Sequence, residues 1–97
     1  MTHYVTVQID VTDPEAMAAY RERGYAPVLK HGGEMIAGGP ECEVLEDTGA
    51  GAPASVLLAF PDAQAAKDWM ADPEFADVYA LRRKAARTVI SLLPPRA

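Results

Sequence analysis

The chain has 97 residues, 49% hydrophobic and 24% charged, which suits one soluble globular domain over residues 1–97 and leaves little room for a second core. Its formal net charge of −5 argues against a nucleic-acid backbone or an anionic membrane as the main partner. A single cysteine, Cys42, excludes an intrachain disulfide and is too few for a structural zinc site, and no apolar run approaches the roughly 20 residues of a membrane span.

His3 to Ile9 alternates, with Val5, Val7 and Ile9 on one face and Tyr4, Thr6 and Gln8 on the other, which predicts a first strand. Thr12-Asp13-Pro14-Glu15 predicts a helix start with Thr12 as cap, and Met17, Tyr20 and Gly24 follow at helical spacing. Pro27 should kink or restart this helix, making Ala26 to His31 a separate turn that Gly32-Gly33 stops. Glu34 to Ala37 predicts a second strand, broken by Gly38-Gly39-Pro40 and resumed as extended chain over Glu41 to Glu46. Asp47 to Pro53 is expected to be a flexible loop, and Ala54 to Phe60 an apolar third strand.

Pro61-Asp62 opens the next helix with Asp62 as cap, and Ala63, Ala66, Trp69 and Met70 form its inner stripe. Asp72-Pro73-Glu74 restarts it, and Phe75, Val78, Tyr79 and Arg82 carry the stripe on. Val89 to Leu93 predicts the last strand, ended by Pro94-Pro95.

The order β-α-β-β-α-β is the ferredoxin-like α+β arrangement, a four-stranded antiparallel sheet with helices on one face. Residues 55–60 and 89–93 are apolar on both faces, yet the helices suffice for one. The simplest second cover is another copy of the same sheet, so a homodimer forming an α+β barrel is expected. Met1-Thr2 runs straight into a strand pattern with no charged and apolar leader, and the expected location is the cytoplasm.

Several stretches resemble the domain of unknown function 1330 family, within the dimeric α/β-barrel superfamily. They are Tyr4-Val5, Gln8 to Glu15, Tyr20-Arg21, Gly32-Gly33, Glu43 to Glu46, Phe60-Pro61, Ala65-Ala66 with Trp69, Asp72 to Phe75, and Leu81-Arg82. The resemblance covers nearly the whole chain and implies the same fold. The wider superfamily includes cofactor-free monooxygenases, muconolactone isomerase-like enzymes, heme-using relatives and plain binding proteins, a menu from which fold alone selects nothing. One departure is Met70, where the family often has an aromatic residue; a methionine there would enlarge or soften a pocket.

Five residues are candidates for a site. His31, at a predicted helix C-terminus, could move protons; the plainer reading is a histidine bonded to a terminal carbonyl. Tyr20 could present its hydroxyl to a cavity or be a satisfied core aromatic, and Trp69 and Tyr79 read in the same two ways. Arg82 falls where the stripe predicts an apolar residue, so it needs either a structural partner, such as Asp10, Glu74 or a strand-end carbonyl, or a ligand anion. Arg82, Arg83, Lys84 and Arg87 otherwise spread over more than one helix face, as a solvated surface does.

His3 lacks neighbours at metal-ligand spacing, and Cys42 lacks a local base; the glycines at 32, 33, 38 and 39 match no phosphate-binding pattern. No metal or cofactor is therefore expected. Two functions fit. One is a cofactor-independent enzyme, isomerase- or monooxygenase-like, acting on a small anionic or carbonyl compound, with His31 and Tyr20 catalytic and Arg82, Trp69 and Tyr79 binding substrate. The other is a non-catalytic small-molecule-binding or structural homodimer.

Overall fold

Alternation in β1 (His3–Val11) sets the two faces of the molecule: Val5 and Val7 are buried, while Tyr4 and Gln8 are exposed. The computed structural model describes residues 2–49 and 54–96. After β1 come α1 (Pro14–Arg23), α2 (Tyr25–Lys30), β2 (Glu34–Gly39) and β3 (Ala54–Phe60). Then follow α3 (Ala63–Ala71), a short 3-10 turn (Pro73–Phe75), α4 (Ala76–Ala85) and β4 (Ala86–Leu92). The strands form one antiparallel sheet in the order β2-β3-β1-β4. This is the expected ferredoxin-like α+β fold.

Cross-strand partners share a face. Val5 pairs with Leu58 and Leu92, and Val7 with Val56 and Ile90, so these residues floor the helix-covered side. Val28, Phe60, Ala66, Trp69, Val78 and Tyr79 complete that core. Burying each large apolar side chain contributes about 1.5–3 kcal/mol, which anchors the helices to the sheet. The opposite face carries Tyr4, Thr6, Gln8, Ser55, Leu57, Val89 and Ser91, with no helix of the described residues over it. Among the described residues, no helix is long and apolar enough to cross a membrane.

Local chemistry shifts several boundaries. Asp13, not Thr12, caps α1: its backbone is extended, its carboxylate accepts from the Ala16 N–H at 3.1 Å, and Pro14 follows as the first helical residue. The Thr12 N–H instead donates to the Ala85 carbonyl at 2.9 Å, tying the entry of α1 to the end of α4. Gly24 separates α1 from α2, so the helix breaks before Pro27, which lies buried inside α2. Gly32, at φ +76, then turns the chain into β2.

Gly38-Gly39 does not break β2. The irregularity is a bulge between Met35 and Ala37, and the ladder continues to Gly39 opposite Ser55. Gly38 sits at φ +124, and a Cβ there would lie 2.3 Å from the Ser55 carbonyl oxygen, so this close strand approach requires glycine. Residues 41–46 form no strand; Val44 and Leu45 are exposed instead. The expected flexible loop over 47–53 falls partly outside the described residues. β4 starts at Ala86, three residues before the apolar run at Val89, because Arg87 pairs with Asp10 across the ladder at 2.7 Å.

Candidate functional site

A cavity of about 150 Å³ lies between the helices and the sheet. Val7 and Ile9 of β1, Val56 and Leu58 of β3, and Ile90 of β4 form its apolar floor. Tyr20 and Arg21 of α1, Trp69 of α3 and Arg82 of α4 close it from the helix side. Tyr25 and Met35, each more than two-fifths exposed, stand at its rim, where the Met35 N–H donates to the Tyr25 hydroxyl at 3.0 Å.

The helical stripe of α4 carries Arg82 inward. Its side chain is 3% exposed, and its guanidinium stacks 4.9 Å from the centre of the Tyr79 ring. Its Nε and Nη1 are shut from solvent and make no hydrogen bond. The carboxylates that sequence pairs with Arg82 are engaged elsewhere: Asp10 with Arg87, and Glu74 with Lys30. Among the described residues, no carboxylate forms an ion pair with Arg82.

Trp69 is 2% exposed, packs 5.3 Å from Phe60 between ring centroids, and has an Nε1 that likewise lacks an acceptor. Tyr79 donates its hydroxyl to the Trp69 carbonyl, and burial pushes its phenol pKa up. That hydroxyl is consumed structurally and the residue does not line the cavity; its ring seats Arg82 instead. The half-buried Tyr20 ring lies over Gly24, where a Cβ would approach within 2.7 Å, so the small residue between α1 and α2 makes room for it.

His31 is not brought to this cavity. It caps α2, and its Nε2 lies 2.8 Å from Asp72 Oδ2. Asp72 also accepts from Lys30 Nζ at 2.7 Å and caps the 3-10 turn through the Glu74 N–H at 2.9 Å. This cluster clamps the end of α2 to the α3–α4 junction. Hydrogen bonds from Lys30 and His31 hold the Asp72 carboxyl down at about 2, against an ordinary 3.8.

The sign of the linkage follows. A carboxyl depressed in the folded state stabilises fully above its unfolded pKa near 3.8 and loses that contribution as pH falls through about 2. Asp72→Asn keeps the capping oxygen and removes the charge. Its melting temperature should fall below wild type at pH 6, and the gap should close as pH drops from 4 toward 2. A pH-independent gap in thermal melts would show that the ionic bonds contribute nothing.

Arg21 and Tyr25 were not singled out as site residues by sequence. Arg21 adds a second cation to a lining that holds no carboxylate among the described residues. Met70 is half-buried and lines a different cavity, beyond Trp69. Among the described residues, no three of His, Cys, Asp and Glu gather as metal ligands.

The model of a family described as domain of unknown function (DUF1330) matches residues 2–94. No curated protein matches the chain. Among solved structures, a protein of unknown function from Rhodopseudomonas palustris is similar at TM-score 0.74 and 16% identity, over 99% of this chain and 83% of that one. A dimeric ferredoxin-like protein of unknown function from a Jannaschia species is similar at TM-score 0.71 and 20% identity, over 98% and 100%. SnoaB, a cofactor-independent oxygenase from Streptomyces nogalater, is similar at TM-score 0.61 and 14% identity, over 99% and 92%. At these identities the likeness is one of fold.

Proposed function

The chain belongs to the DUF1330 family, and we propose that it binds a small, largely apolar compound through a carboxylate or carbonyl oxygen in the cavity between helices and sheet. The observation that carries this reading is Arg82, a buried cation on an apolar cavity with two nitrogens that lack acceptors. Each unsatisfied buried donor costs about 1–3 kcal/mol, and a bound oxygen acceptor, reached by a small turn of the guanidinium, removes that cost. Trp69 Nε1 is a third unpaired donor, and Arg21 adds positive potential to a lining that holds no acid among the described residues. A volume of about 150 Å³ is that of an apolar cavity that takes up benzene, which sets the ligand body at one small ring or a short branched chain.

Calorimetric titration with benzoate and with benzyl alcohol tests the reading. Benzoate should bind at least about tenfold more tightly, because only the carboxylate offers the guanidinium a charged, two-oxygen acceptor. Equal affinities, or none for benzoate, would remove Arg82 as an anion-binding group.

A second reading adds catalysis, because the Tyr20 side chain lines the same cavity as Arg82. A hydroxyl beside such a cation can donate to a substrate carbonyl oxygen as it gains negative charge, while water takes the neighbouring C–H proton and returns one from solvent, with no cofactor. Solvent deuterium exchange next to the carbonyl of 3-methyl-2-oxobutanoate, a short branched oxo acid, lost in Tyr20→Phe, separates an enzyme from a binder. His31 takes no part in this reading, since its bond to Asp72 holds it outside the cavity.

We also take the chain to work as a cytoplasmic homodimer through its uncovered sheet face. The apolar Tyr4, Leu57 and Val89 on that face, and the dimeric similar fold from the Jannaschia species, support this.

A further inference from the structure

We infer that Trp69, with Ile90, partitions the space under the helices and so limits the length of ligand that the Arg82 cavity accepts; this rests on the binding reading above. A second cavity of about 240 Å³ lies beyond Trp69, walled by Val5, Ala66, Met70 and Leu92 with Lys67. The two cavities share two wall residues, Trp69 and Ile90.

The sheet shows how they are arranged. Val7 floors the first cavity and Val5 the second, and their β4 partners Ile90 and Leu92 keep the same order. The cavities therefore follow one another along β1, one inward position apart, a step of about 7 Å. A ligand anchored at Arg82 and extending along β1 meets the Trp69 side chain before it reaches the second space.

Trp69 is poorly placed to yield. It is 2% exposed, packs on the Phe60 ring, and its carbonyl accepts the buried Tyr79 hydroxyl. Selection by such a wall is steric: one ring-sized body fits beside Arg82, and a chain of three further methylenes does not. The accepted class is compact monocyclic or short branched carboxylates, with extended aryl-alkanoates and fatty acids rejected.

Amide-resolved NMR titration of the purified protein with benzoate and phenylbutanoate, and in parallel with toluene and butylbenzene, tests the partition. Wild type should prefer the shorter member of each pair by at least about tenfold. In Trp69→Leu that preference should vanish or invert, with shifts from the longer ligand spreading to Lys67 and Leu92. Ile90→Ala removes the other shared wall, keeps the Trp69 N–H, and should relax the preference even if Trp69→Leu fails to fold. Unchanged ratios in a folded variant overturn the partition. Length selection by the neutral pair without carboxylate binding keeps the partition and removes the anion reading. Failure of both series to bind overturns both.

Discussion

Arg82→Met is expected to abolish benzoate binding while leaving the unliganded protein at least as stable as wild type. Arg82 is a buried cation whose partial compensation in the chain is the Tyr79 ring at 4.9 Å. Such a contact supplies about 0.5–2 kcal/mol, whereas two orphaned donors and the loss of hydration cost more. Methionine keeps the unbranched stem and fills similar space without polar atoms. Replacing buried ionic groups by apolar residues of like volume is often neutral or stabilising by about 1–4 kcal/mol. A gain of about 1 kcal/mol would raise the melting temperature of a domain this size by about 4–8 °C.

Arg82→Ala behaves differently. It removes the packed stem as well as the charge, and should lose stability against a surface arginine substitution through the cavity alone. It strands neither Asp10 nor Glu74, because both pair with other cations. Chemical denaturation of both variants, with and without benzoate, checks the pair. An Arg82→Met protein that unfolds far more easily than wild type, or still binds benzoate, would show that the guanidinium serves the fold.

How far these features could be read from sequence differs between local and long-range effects. Arg82 is visible because Phe75, Val78, Tyr79 and Arg82 recur at helical spacing, so a charge on a buried stripe stands out. The caps at Asp62 and Asp72 are visible because each carboxylate bonds a backbone N–H two or three residues on. Where Arg82 finds no acid is invisible, since the competing bonds, Asp10 to Arg87 and Glu74 to Lys30, join residues 77 and 44 positions apart. The same holds for His31: its helix-end position is legible, but the Asp72 contact that fixes it lies 41 residues away.

Edges of the sheet fail for a related reason. Residues 41–46 look extended, but the ladder partner β3 is already filled by Glu34–Gly39 on that side. Arg87 reads as helix surface, yet its opposite number on β1 is an aspartate. Arg21 lies four residues after Met17 and three before Gly24, so like Arg82 it is a charge on a helical stripe, but it sits at the stripe's exposed edge and reads there as helix surface.

Thr6→Lys is the substitution expected to alter assembly most. Thr6 lies at the middle of β1, between Leu57 of β3 and Ser91 of β4, on the face opposite Val5. Tyr4 and Val89 on that face are 43% and 58% exposed in the single chain, so large apolar surface faces outward there. Two such sheets packed face to face bury Thr6 twice about the dimer axis. A lysine at this point places two like charges in one dry layer, where Asp10 on the same face is held by Arg87 and Glu34 lies two strands away on β2. A few kcal/mol of desolvation and repulsion weakens the dimer by more than about a hundredfold. Sedimentation at micromolar concentration should show wild type as a dimer and the variant as a monomer. Because Thr6 is remote from the helix-side floor of Val7 and Ile90, benzoate affinity per chain should survive dissociation if the cavity is complete within one subunit. A dimeric Thr6→Lys protein would place the interface on another surface; a monomer that no longer binds would show that the partner completes the site.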